Sequence, residues 1–326
     1  MKNILKRMVG TIAIPLIAFI VCQILCTAGG VTYFAGAFSW KVFVRASASV
    51  MLTTFALHIN LNSGRFDFSL GAISLLSSVI SAQISLSFGL PVWMMLALSI
   101  VSGFVLGVIS GAVYVVLRLP AIIVSLGVTL FYEGFAYVIT SGYGVSFVTN
   151  KEYTSVGTIP FYLAVIAAGL VFMIVVFDLS RFGYNHKALM YGQKIAVNTG
   201  IREIPNAILT YGIAGMLMGV VGFITATNNG TIQMSLNFGS IGVMFTAFFP
   251  MFAGGFIGRF SNDKLGYLLG AVTSAFVSLM YSRLNVDSSI QQIVTALILV
   301  GFVIFLSNEY KITSFFTGRK AEQRTA

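Results

Sequence analysis

The chain has 326 residues and a formal net charge of +10; 57% of it is hydrophobic, only 9% is charged, and its mean hydropathy is +0.94. A water-facing globule carries about 25% charged residues, so a cytosolic enzyme, a secreted disulfide scaffold and a nucleic-acid binder are excluded. What remains is an all-α polytopic membrane protein, its basic residues set between apolar runs rather than along one face.

A bilayer core about 30 Å thick needs about 20 apolar residues per helix. Runs of that kind predict ten transmembrane helices, at 9–30, 41–61, 68–88, 91–117, 120–140, 161–179, 207–226, 241–257, 265–283 and 290–307. The first follows Lys2, Lys6 and Arg7 as a signal peptide does, but its length and the nine spans after it read as an uncleaved anchor. Cys22 and Cys26 lie four apart within it, a spacing for packing rather than for a bridge or a metal. Ten spans return both termini to one side. With that side cytoplasmic, fifteen of the nineteen Lys and Arg lie inside and only Lys41, Arg45, Lys151 and Arg283 outside. The positive-inside rule therefore places the N and C termini in the cytoplasm. Residues 1–326 read as a single transmembrane domain, with a polar cytoplasmic loop at about 181–206 and a short cytoplasmic tail at 308–326.

Pro91, Pro120 and Pro160 open their spans, where a missing N–H costs nothing, and Pro205 precedes the seventh. Pro15 and Pro250 fall inside spans and are expected to kink or break them. Glycines three or four apart, Gly103/Gly107/Gly111 and Gly212/Gly215/Gly219, predict close helix packing.

Three polar stretches stand out. Asp67 and Ser69 flank an apolar residue at the start of the third span. They cap exposed N–H groups there, or mark a helix break that lines a polar cavity. His58, Asn60 and Asn62 close the second span, either as pathway groups or as its wet inner end. Glu133 lies thirteen residues into the fifth span, where an ionisable group needs a partner or water. It is read as a pathway or inter-helix hydrogen-bonding group, or as one wetted near the outer interface. In the loop 181–206, residues 193–199 form a short helix that Gly200 ends. Ile195, Ala196 and Thr199 make its narrow apolar face, suited to a groove on a cytoplasmic partner or to lipid headgroups. The chain contains no phosphate-binding Gly-rich loop with Lys-Ser/Thr, so any ATP use falls to a partner.

Together these stretches resemble the permease subunits of ribose-type (simple sugar) ABC importers, in the superfamily that also holds branched-chain amino acid permeases. Asp67, Ser69 and Gly71 match that family's Asp-x-Ser-x-Gly core. Pro120-Ala121-Ile122-Ile123-Val124-Ser125-Leu126-Gly127, followed by Gly134, matches its Pro-Phe-Ile-Val-Thr-Leu-Gly segment. Ala196, Gly200 and Ile201 align with its cytoplasmic coupling segment, and the likeness runs from about residue 45 to 307. Three departures stand out. Arg65 replaces a glycine, Glu133 replaces an arginine, and Met244–Pro250 lacks two acidic residues, although Gly254 and Gly255 survive.

The resemblance implies a non-catalytic permease in the plasma (inner) membrane of a prokaryote, passing a small sugar or sugar-like solute. Its partners would be a cytoplasmic ABC ATPase holding the ATP and Mg, a second permease chain (homodimer or heterodimer), an extracytoplasmic solute-binding protein and the lipid bilayer. No nucleic acid and no cofactor of this chain's own are implied. Gln193, Lys194, Ile195, Ala196, Thr199, Gly200 and Ile201 would couple to the ATPase. Asn60, Asn62, Asp67, Ser69, Ser125 and Glu133 would belong to the translocation pathway. The alternative is an ion- or proton-coupled secondary transporter with Asp67 and Glu133 as coupling carboxylates.

Overall fold

The computed structural model describes residues 2–308, with side chains from residue 7. The tail expected over 308–326 lies outside the described residues, Asn308 excepted. In chain order the helices are α1 (Lys2–Ala28), α2 (Gly36–Asn62), α3 (Leu70–Phe88), α4 (Val92–Leu117), α5 (Ala121–Ile139), the short α6 (Lys151–Ser155), and α7 (Ile159–Ile174). They continue with α8 (Arg181–Asn198), α9 (Glu203–Asn229), α10 (Ile241–Phe245), α11 (Phe248–Gly258), α12 (Asp263–Arg283) and α13 (Ser288–Ser307). Among the described residues ten helical stretches are long and apolar enough to cross a membrane, in the places the sequence predicts. α7 ends in a π-helical turn, Val175–Leu179. The eighth span is broken: α10 stops at Phe245 and α11 starts at Phe248.

Pro250 falls in the first turn of α11, just after that break, where its missing N–H has no helical partner to lose. Pro15, by contrast, lies within a continuous α1. Pro205 sits in the first turn of α9 rather than before it. The spacing of glycines explains the tightest seam. A Cβ on Gly107 would stand 2.3 Å from the Tyr211 carbonyl oxygen, and one on Gly215 2.3 Å from that of Gly103. Only hydrogen fits at such positions, so α4 and α9 meet backbone to backbone. The Ser99 hydroxyl donates to the Gly219 carbonyl at 2.8 Å across the same seam.

α9 runs through the core, and α13 at the periphery has no buried residue. α2 ends on Gly64 in the left-handed region, with the Arg65 N–H donating to the Asn60 carbonyl at 3.1 Å. This is the turn that stops a helix and reverses the chain. Two features lie beyond the sequence reading. Two-residue strands β1 (Val145–Ser146) and β2 (Thr231–Ile232) pair antiparallel and clip together the connections after α5 and α9. And the polar loop is helical far beyond residues 193–199: α8 begins at Arg181 and is kinked at Gly192.

Candidate functional site

Beside the α3–α9 contact lies a cavity of about 510 Å³, within the about 300–1,000 Å³ of small-molecule sites. α3 contributes Gly71, Ser74, Leu75 and Ser78; α9 contributes Gly222, Thr225, Ala226 and Asn229. The chain from β2 into α10 closes it with Thr231, Ile232, Gln233, Ser235, Gly239, Ser240 and Val243. The lining is rich in hydroxyls and amides and contains no charged side chain.

Small residues create this geometry. A Cβ on Gly222 would stand 2.3 Å from the Ser74 carbonyl oxygen, and one on Gly71 2.0 Å from that of Ser240. α3 is thus pressed against both α9 and the entry to α10. That entry is strained, because Asn237 and Phe238 both have positive φ, 56° and 67°. Glu133 holds it. From α5, the carboxylate accepts the Phe238 N–H at 2.9 Å, the Ser240 N–H at 2.9 Å and the Ser240 hydroxyl at 2.5 Å. A side chain 1% exposed inside a span is thus satisfied by two backbone N–H groups and a hydroxyl of the segment that leads into α10.

Asp67 does the same at the start of α3, accepting the Ser69 N–H at 2.9 Å and the Ser69 hydroxyl at 2.6 Å. The Asn60 amide donates to its other oxygen at 3.2 Å. Burial pushes the Asp67 carboxyl up to about 6, while the bonds from Ser69 pull the other way. Asn62 is exposed and pairs with His58 at 2.9 Å, and the Ser125 hydroxyl donates back to the Ile122 carbonyl at 3.0 Å. Asn60, Asp67 and Ser69 therefore form one cluster, Glu133 sits directly behind the cavity lining, and Ser125 and Asn62 stand apart from both. None of the six lines the cavity itself. The hydroxyls that do line it were passed over. Their signal was present in Ser74, Ser77, Ser78, Ser81 and Ser85, a helix-period set of serines on an apolar span.

The polar segment presents a different surface. Gly200 has φ +93° and the Ile201 N–H donates to the Ala196 carbonyl at 3.1 Å, which ends α8 as the glycine's placement suggests. Ala196 is buried, whereas Ile195 is 73% and Tyr191 89% exposed. Lys194 and Thr199 are exposed, and the Gln193 amide donates to Glu203 at 2.6 Å. Earlier in α8, His186 lies between the rings of Phe177 and Phe182, beside Thr210 and Asn206. Burial pushes its imidazole down to about 4, with the charges of Arg65 and Lys187 adding to the effect.

A ten-span helical bundle enclosing an uncharged polar cavity at a broken helix defines the membrane subunit of a solute transporter. The chain belongs to the family of branched-chain amino acid transport system permease components, whose model matches residues 41–307. It is 24% identical over 306 residues to the L-arabinose transport system permease protein AraH of Escherichia coli, covering 91% of this chain and 89% of that one. To the fructose import permease protein FruF of Bifidobacterium longum it is 25% identical, covering 69% and 68%. To the autoinducer 2 import system permease protein LsrC of Photorhabdus luminescens it is 26% identical, covering 59% and 58%. No solved structure matches the chain.

Proposed function

We propose that this chain is the permease subunit of an ATP-binding-cassette importer and forms the translocation pathway for a neutral, sugar-like solute. The observation that carries the reading is the cavity between α3 and α9. A lining of Ser, Thr, Asn and Gln with no ionic group offers hydroxyl-rich solutes weak, exchangeable hydrogen bonds. A pathway needs contacts favourable enough for entry and weak enough for release. The family membership and the sugar permeases among the relatives point the same way.

The distribution of Lys and Arg supports a cytoplasmic α8 and cytoplasmic termini, and the bacterial permeases among the relatives support the inner membrane of a prokaryote. The exposed Tyr191 and Ile195 then face a cytoplasmic ATPase, which would hold the ATP and Mg. Lys194, Ala196, Thr199, Gly200 and Ile201 shape the same end of the helix. β2, paired with β1, lines the cavity and follows the end of α9 remote from α8, the side where a solute-binding protein would deliver its cargo. A second permease chain would cover the outer face of α5, where Phe131, Phe135 and Val138 are exposed and Gly127 and Gly134 have open space beside them. The ion- or proton-coupled alternative asks Asp67 and Glu133 to exchange protons along a route. Both are instead held by several hydrogen bonds each, in places that organise backbone.

The test is co-purification with the cognate ATPase. The unaltered chain should retain it, and Ala196→Glu, which drives a charge into the buried side of α8, should lose it while still inserting in the membrane. An unaltered chain that never retains an ATPase contradicts the reading.

A further inference from the structure

We infer that the ion pair between buried Arg65 and half-buried Glu203, braced by Gln193, transmits motion of the last segment of α8 to the cavity-lining helix α3. The inference rests on the permease reading above and goes beyond it by naming the positioning residues. Arg65 is 4% exposed, and its guanidinium meets Glu203 at 3.3 Å. Glu203 opens α9, and the same carboxylate oxygen accepts the Gln193 amide at 2.6 Å. One oxygen thus joins three segments: the end of α8, the start of α9 and the α2–α3 corner.

The two halves of α8 are held differently. Before the Gly192 kink, Lys187 reaches Asp178 at 2.6 Å, Lys264 reaches the same carboxylate at 2.6 Å, and His186 is buried. After it, Ala196 is the one buried side chain in the helix, and among the described residues Gln193 to Glu203 is the side-chain hydrogen bond to the rest of the bundle. The more exposed half is therefore the lightly held half. On the inner side, Arg65 is fixed through its backbone to Asn60, and among the described residues its second terminal nitrogen has no partner and Glu203 is its one ionic tie. Two residues on, Asp67 clamps the first turn of α3, and that helix carries Gly71, Ser74 and Ser78 to the cavity wall. A displacement of residues 193–198 pulls Glu203. A buried guanidinium must follow its counter-charge, because leaving it alone is costly. Gly71 is so close to Ser240 that α3 cannot shift without moving the cavity's closing segment.

The test uses the full complex of this chain with its ATPase and solute-binding protein in proteoliposomes, read as bound ATPase, ATP hydrolysis and solute taken up per ATP. Glu203→Gln should keep the ATPase and its hydrolysis but lower uptake per ATP by about tenfold, the size of a typical coupling between sites. The exchanged pair Arg65→Glu with Glu203→Arg, in which the guanidinium introduced at position 203 can donate to the Gln193 amide oxygen, should restore most of it. Uptake per ATP unchanged in Glu203→Gln would overturn the inference, as would an exchanged pair that assembles yet does not recover. Loss of the bound ATPase in Glu203→Gln would also overturn it, making the pair an assembly contact. Failure of the permease reading itself is distinguishable, because then the unaltered chain would already lack an ATPase.

Discussion

Glu133 is the residue on which the cavity wall most depends. Its two oxygens accept three hydrogen bonds at the start of α10, two of them from backbone N–H groups of a segment with unfavourable φ. Glu133→Gln leaves one acceptor and turns an amide NH₂ towards an N–H. It should cost about 1–3 kcal/mol, and be read as a lower melting temperature in detergent together with slower uptake. A variant with unchanged melting and uptake would show that the strained segment holds itself. His186 gives a pH signature. With its folded pKa near 4 against 6.5 for the free imidazole, the unfolded chain binds the extra proton between those values. Stability therefore falls as pH drops through 6.5 and levels off below 4; at pH 5 the loss is about 2 kcal/mol. Asp67, pushed up to about 6, works in the opposite sense, so the readout is the difference between proteins. On acidification from pH 7.5 to 5, His186→Gln should lose less stability than the unaltered chain, and equal losses would place the imidazole in contact with water. That Glu133 needs a partner was legible from its depth in a span. That the partner is backbone 105 and 107 residues later was not, since no local pattern links them.

Among the elements, glycine carries two opposite meanings. On the α4–α9 seam there is no room: Gly107→Leu should force the helices apart at a cost of at least about 3 kcal/mol and leave little protein monodisperse after solubilisation. On α5 there is room, because nothing lies within 4 Å of a Cβ at Gly127 or Gly134. Gly134→Leu should therefore leave melting of the single chain unaltered and weaken association with the second permease chain, measured by the mass of the purified particle. Normal association would move that partner to another face. The spans themselves were readable because twenty apolar residues have few alternatives in a bilayer. The glycine stripes were readable because three- or four-residue spacing has one structural meaning on a helix. Residues 181–192 were not read as helix: their mean composition is polar, and what makes them helical is docking of His186 and Leu189 onto the bundle and the Lys187–Asp178 pair. The cavity was hidden for a related reason. Serines that bond back to their own helix away from the cavity, as Ser77 and Ser81 do, look the same in sequence as Ser74 and Ser78 beside a void.

At the scale of the whole molecule, the α4–α9 seam joins two spans backbone to backbone, while the break between α10 and α11 interrupts the eighth span beside an uncharged cavity. In the proposed reading, work done on a partner reaches that cavity through α8. The most direct test is solute uptake by proteoliposomes containing this chain, its cognate ATPase and its binding protein, with a neutral monosaccharide as probe. The account predicts uptake that requires internal ATP and the binding protein and persists when ion gradients are collapsed. Uptake by the chain alone, driven by an imposed proton or ion gradient without ATP, would contradict it.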